Sequence, residues 1–347
     1  PLAARAIITV SPTIMLICVI SAIRGYFQGL QNMIPTAISQ MIEALLKLII
    51  GYSAASYAMN KGYTLDIVAA YTISGVTIGV AVSTVFLIIC YLVKGRGACE
   101  LRDERSADDK RLAIRLIRIA VPISLTAAAL YLANIVDLMT IVNVLAKKFG
   151  QESAELLYSA YSSISVTLAN MPSTIIYAIA TSILPSLAAA LALKKQKKVR
   201  ESMRASLRLT AVFAFPCAFG VCLLSEGIIS CIYSASTISQ TVYINSAGEA
   251  VTALSISSTA LGILAVGIIF ITMYSTTNAL MQSYGLEWYT IVSVLCGTGT
   301  KLVLSLILLN IKAINIYGAA ISTVACYVVA VGMNCRYLRK KSGHSLK

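Results

Sequence analysis

Apolar residues run along this chain in stretches of about 20, each closed by a short polar or charged interruption. A bilayer-crossing α-helix has that length, at 1.5 Å per residue. Nine stretches can be drawn, at 9–27, 35–58, 66–93, 119–144, 160–193, 206–224, 253–277, 288–310 and 314–337. The longest require tilt or projection from the bilayer. The alternating segments of about 10 residues that mark a membrane β-barrel are absent. The pattern predicts an all-α polytopic membrane protein with about nine transmembrane helices.

Composition strengthens that reading. The 347 residues are 58% hydrophobic and only 12% charged, and mean hydropathy is +0.82. A soluble domain carries about 25% charged residues. The net charge of +14 would suggest nucleic acid in a soluble protein, but here the bases cluster between spans. Eight lie in 94–118, seven in 194–208 and five in 336–347. With Arg24 on the same side, the positive-inside rule predicts an N-terminus outside and a C-terminus in the cytoplasm. The nine cysteines include no C-x-x-C pair and mostly fall inside apolar stretches, where they act as small hydrophobes. The chain begins at Pro1 and ends in a basic tail, and it reads as an interior piece of a longer protein.

The division expected is 1–93 as three spans of an N-terminal lobe and 94–118 as a cytoplasmic basic amphipathic linker. The six spans of 119–337 form a C-terminal lobe, and 338–347 is a basic cytoplasmic tail. The linker ends with Arg111, Arg115 and Arg118 on one helical face. Residues 199–208 repeat the device with Arg200, Arg204 and Arg208. Both read as helices lying on an anionic leaflet, as topology anchors or lipid-responsive elements. A weak internal repeat links the two ends of the chain. Gln28, Ser39 and Lys47 each recur 254 residues later as Gln282, Ser293 and Lys301. Gly79–Val85 matches Gly318–Val324 at five of seven positions. Two related lobes are the arrangement of transporters, with a site near mid-membrane.

The hinge between the first two spans carries a recognisable pattern. Arg24-Gly-Tyr-Phe-Gln-Gly29, with Met33, Pro35-Thr36, Ser39-Gln40 and Glu43, resembles the stage V sporulation protein B and polysaccharide-export branch of the MOP flippase superfamily. That superfamily includes the MurJ-type lipid II flippases and the MATE exporters. Pro122, Asp137, Asn170-Met171-Pro172 and Leu184-Pro185-Ser186 are consistent with it. The resemblance implies a two-lobed bundle of about fourteen spans, of which this chain covers spans four to twelve.

No arrangement of residues points to catalysis. The one histidine is His344, in the tail, which removes Ser-His, Cys-His and histidine-metal chemistry within the spans. Gly297-Thr-Gly-Thr-Lys301 lacks the spacing of a phosphate loop. Gly25-x-x-x-Gly29 and Gly75-x-x-x-Gly79 permit close helix approach. The informative residues are charges inside spans, which cost about 2.5–3.5 kcal/mol each at the helix centre and face partners or cavities. Glu43 and Lys47, four apart with the acid first, either neutralise one another or line a hydrated cavity. Lys301 has Gly297 where Lys47 has Glu43, so it meets an anionic substrate or a distant acid. Asp137 neutralises a lysine, binds a coupling cation or reaches the interface. Arg24 is a positive-inside anchor or a contact for a lipid pyrophosphate. Pro35, Pro172 and Pro185 are candidate hinges, and Asn170 is a candidate for a bend facing a cavity.

The leading expectation is a non-enzymatic flippase that moves a lipid-linked saccharide precursor from inner to outer leaflet by alternating access. Lys47 and Lys301 would counter its pyrophosphate. No cofactor or metal is expected, and the drive is a Na+ or H+ gradient or the membrane potential. The partners expected are membrane lipids, the lipid-linked substrate and cell-wall synthesis proteins. The alternatives are a cation-coupled multidrug exporter and a non-transporting scaffold for wall synthesis.

Overall fold

The apolar stretches fold as helices because a chain in hydrocarbon must satisfy its backbone within each segment. The computed structural model describes residues 4–30, 32–94, 108–193, 195–244, 250–311 and 314–342. Helix α1 is Ala4–Gly29, α2 Ile34–Asn60 and α3 Leu65–Lys94. Helix α4 is Asp108–Phe149 and α5 Gln151–Ser159; a π-helical segment, Ala160–Val166, then leads into α6, Thr167–Ala192. Helix α7 is Gln196–Leu223, followed by short α8, Ser225–Ile232, and α9, Ala235–Ile238. A small antiparallel hairpin pairs β1, Thr241–Ile244, with β2, Ala250–Thr252. Helices α10, Ala253–Ser283, α11, Glu287–Asn310, and α12, Tyr317–Ser342, complete the chain.

Among the described residues eight helices are long and apolar enough to cross a membrane. They match the expected stretches except 160–193, whose counterpart is α6 with its π segment. The chain is thus a multi-pass helical membrane protein. Local chemistry sets the boundaries. Pro35 stands at the start of α2, where a missing N–H costs nothing, so it opens the helix and does not interrupt it. Gly62, at φ 71, closes α2, and the Tyr63 N–H donates back to the Ala58 carbonyl at 3.2 Å. Gly285, at φ 69, ends α10 in the same way, with the Leu286 N–H on the Met281 carbonyl at 3.0 Å. Both are helix ends that require a left-handed residue.

The basic segments behave differently from expectation. Residues 108–118 and 196–208 are the first turns of α4 and α7 and run into the spans without a break. Their Arg, Lys and Leu residues are good helix formers, and the inner Pro122 and Pro216 remove one donor each without ending the helix. Residues 95–107 of the expected linker, the side chains of Arg111 and Arg115, and residues 343–347 with His344 lie outside the described residues.

The chain forms two compact units, Pro1–Ser106 and Ala107–Lys347. In the first, α3 packs along both α2 and α1, which scarcely touch each other. A Cβ on Gly75 would stand 2.5 Å from the Gly51 backbone nitrogen, so these glycines set how closely α2 and α3 cross. In the second unit α10 is central, packed by α12, α7, α6 and the π segment. Half of its apolar window is buried, more than in any other span described. At the end of the chain α12 again packs on both α10 and α11, which barely meet. The sequence echo is therefore matched by a shared packing order of α1–α2–α3 and α10–α11–α12. The segment from α8 to β2 caps the second unit. It buries Ile229, Ile238 and Val242 in the main core, and the Tyr233 hydroxyl donates to the Ser163 carbonyl of the π segment at 3.2 Å.

Candidate functional site

The first unit gathers three of the expected residues around one carboxylate. Helix α1 brings in Arg24, and α2 presents Glu43 and Lys47 one turn apart. Arg24 Nη2 donates to Glu43 Oε2 at 2.8 Å, and Lys47 Nζ to Glu43 Oε1 at 2.6 Å. Arg24 Nε also donates to Ser39 Oγ at 3.1 Å. That hydroxyl donates to the Thr36 carbonyl at 2.7 Å, and Ser83 Oγ of α3 holds the Ser39 carbonyl at 2.7 Å. Both oxygens of Glu43 are occupied, and the triad keeps a net charge of +1. Arg24 and Glu43 are 18% and 17% exposed, Lys47 37%. The surplus positive charge is therefore the more accessible one.

Gly79 of α3 makes this seat. A Cβ there would lie 3.0 Å from the Glu43 carbonyl and 3.2 Å from Lys47 Cγ. Helix α3 also sets the depth. Tyr71 belongs to an aromatic cluster with Tyr57 and Tyr63, and Tyr91 to one with Tyr26 and Phe27. Tyr71 and Tyr91 are 20 residues apart, about 30 Å along a helix, the thickness of a hydrocarbon core flanked by aromatic belts. Gly79 lies between them, about 12 Å from one level and 18 Å from the other. Glu43 and Lys47 thus sit well inside the span, and Arg24, two residues from Tyr26, reaches in to a part-buried pair with Glu43.

The second unit gathers the other three. Lys301 Nζ of α11 meets Asp137 Oδ2 of α4 at 2.8 Å, with side chains 13% and 6% exposed. The distant acid expected for Lys301 is Asp137, and this pair is neutral. A cavity of about 210 Å³ opens beside it. Helix α4 lends Asn134 and Asp137, α6 lends Ala169 and Asn170, and the α5–π stretch lends Tyr158, Tyr161 and Ser162. Thr323 and Tyr327 of α12 close the far wall. The Tyr161 hydroxyl lies 2.9 Å from Thr323 Oγ1 and donates to the Ala319 carbonyl at 3.2 Å. Asp137 Oδ1 is buried and has no hydrogen-bond partner among the described residues.

Pro172 and Pro185 both lie inside α6; the side chain of Pro185 is outside the described residues. Among the described residues no three His, Cys, Asp or Glu side chains group as metal ligands would. Sequence reasoning missed the π segment, Asn134 and the tyrosines. Tyr158 and Tyr161 at i, i+3, and Thr323 and Tyr327 at i, i+4, were the available signal, but hydroxylated residues in apolar runs read as ordinary span positions.

Comparison with known proteins adds the following. The family model described as MurJ, lipid II flippase MurJ, matches residues 1–347. The uncharacterized membrane protein YabM of Bacillus subtilis (strain 168) is 26% identical over 324 residues, covering 93% of this chain and 57% of that protein. Stage V sporulation protein B of the same organism is 23% identical, covering 98% of this chain and 62% of that protein. Its lipid II flippase MurJ is 22% identical, covering 97% and 60%. The chain therefore spans about three fifths of the length of these relatives. Among solved structures, an outward-facing multidrug resistance MATE family transporter of the MOP superfamily aligns with a TM-score of 0.75 at 14% identity. That alignment covers 98% of this chain and 69% of the other, and it shows a shared fold.

Proposed function

The chain belongs to the lipid II flippase MurJ family along residues 1–347, and from that premise we propose that it works in a flippase for a lipid-linked, phosphate-bearing saccharide. The observation that carries the reading is the Arg24–Glu43–Lys47 triad, which holds a net positive charge inside a membrane span. An ionised group there is costly unless it meets a partner. Glu43 supports only one of its two cations, and a phosphate oxygen on Lys47 would match the other. Lys301 is matched by Asp137, so it joins substrate only if that bond opens. We assign the phosphate contact to the first unit accordingly.

In this reading Arg24 and Lys47 bind the pyrophosphate and Gly79 fixes the geometry of the seat. Prolines 172 and 185 let α6 bend while the substrate headgroup crosses from inner to outer leaflet. The base-rich ends of α4, α7 and α12 face the cytoplasm, with the start of α1 outside. The gradient of an ion or the membrane potential supplies the drive. Cell-wall synthesis proteins would receive the product.

Multidrug exporters share this fold, so the fold does not choose between the two substrates; charge does. An organic cation would be repelled by a triad of net +1. The test is a substrate series in proteoliposomes holding the full-length protein. Flipping of a lipid-linked saccharide without efflux of ethidium is the expected result. Ethidium efflux without lipid flipping would replace this reading with the exporter.

A further inference from the structure

The cavity beside Asp137 and Lys301 has a chemistry of its own. Asp137 and Lys301 cancel one another at 2.8 Å, and among the described residues no other charged group lines the space. A phosphate would find no uncompensated cation there, and an organic cation no uncompensated acid. The ligand this cavity takes is therefore neutral. It must also donate a hydrogen bond, because Asp137 Oδ1 is a buried carboxylate oxygen with no partner among the described residues. Leaving such an acceptor unmet is unfavourable, the more so for a charged group.

The rest of the wall narrows the class. Asn134 stands one turn before Asp137 on α4, and Asn170 faces the same space from α6. Neither side-chain amide is hydrogen-bonded to another side chain among the described residues. Each offers a donor and an acceptor side by side, the pairing that adjacent ring hydroxyls or an acetamido group satisfies. Tyr158 and Tyr327 add aromatic surface with a hydroxyl at its edge. The cavity has a volume of about 210 Å³. That is the scale of one sugar ring, and it is below the ~300–1,000 Å³ of drug-sized sites. We propose that this cavity of the second unit is a subsite for a single neutral pyranose ring, held by Asp137 Oδ1, Asn134 and Asn170. The proposal rests on the reading of the chain as a lipid-linked saccharide flippase, and it assigns the sugar to residues other than those that meet phosphate.

Saturation-transfer NMR on the purified full-length protein tests it, with methyl glucoside and methyl N-acetylglucosaminide as probes. Transfer to the ring protons of at least one glycoside is expected, and inorganic phosphate should not compete. Ser162→Leu, which fills the cavity, and the double variant Asn134→Ala/Asn170→Ala should each weaken binding about tenfold, the equivalent of ~1.4 kcal/mol. Unchanged elution and melting of both variants would show that their folds are intact. No transfer to either glycoside, or transfer that both folded variants leave intact, overturns the subsite. The same preparations, reconstituted, separate the two readings. A sugar signal without lipid flipping keeps the subsite and removes the flippase, and flipping without a sugar signal does the reverse.

Discussion

Glu43 holds the charge balance of the first unit, since each of its oxygens is bound to a different cation. Glu43→Gln leaves Arg24 and Lys47 as unmatched neighbours and should cost stability toward the lower end of the ~3–5 kcal/mol seen for broken buried pairs. Lys47→Gln leaves Arg24–Glu43 intact and should barely move the melting temperature. Melting of the detergent-solubilised protein, followed by fluorescence-detected gel filtration, would distinguish the two variants. Equal loss in both would mean that Lys47 is structural. At the second site Asp137→Asn strands Lys301, which is 13% exposed, and should cost about 3–5 kcal/mol. The double change Asp137→Leu/Lys301→Met should come back to within about 1 kcal/mol of the parent, since apolar replacements of a buried pair are often neutral. Additive losses in that cycle would contradict the pairing. The Glu43–Lys47 contact was legible from the sequence because i, i+4 spacing on one helix fixes it. Arg24 meets Glu43 from another helix, 19 residues away, and Asp137 meets Lys301 across 164 residues, so neither partner could be read from local spacing.

At the scale of helices, the two glycine pairs that look alike in the sequence separate by their surroundings. A Cβ at Gly75 would stand 2.5 Å from the Gly51 nitrogen, and one at Gly79 3.0 Å from the Glu43 carbonyl. At Gly25 and Gly29 nothing lies within 4 Å. Gly75→Ala should therefore force α2 and α3 apart, at a cost of about 1–3 kcal/mol. Gly25→Ala should be neutral, or stabilising by up to ~1 kcal/mol through helix propensity. Thermal midpoints of the two variants check the contrast, and a neutral Gly75→Ala would show that the helices yield at that crossing. Span positions were legible because hydrophobic length alone specifies them. The π segment was not, because its register depends on tertiary hydrogen bonds. Ser165 Oγ and Ser257 Oγ both donate to the Ala160 carbonyl, at 3.2 and 3.1 Å, and Tyr233 holds Ser163. Those serines read in sequence only as small polar residues in apolar runs. The β1–β2 hairpin escaped for a similar reason, since its strands of four and three residues carry no usable period.

Over the whole molecule, two packing units repeat one order of three helices while their charges have diverged. Helix α2 carries an acid one turn before its lysine. Helix α11 carries Gly297 there, pressed against Cys326 of α12 with 2.9 Å between a built Cβ and that carbonyl, and its lysine is matched by α4 instead. The echo in the sequence made the lysines look equivalent, and their partners make them different. One keeps a surplus charge and the other does not. The account assigns substrate phosphate to the lysine with the surplus. The most direct test is the initial rate at which the full-length protein flips a lipid-linked saccharide in proteoliposomes, compared among the parent, Lys47→Gln and Lys47→Arg at equal insertion. A charge-assisted hydrogen bond is worth about 1.5–3 kcal/mol. Lys47→Gln should therefore be slower by about tenfold or more, with Lys47→Arg within a few-fold of the parent. A parental rate in Lys47→Gln would contradict the assignment.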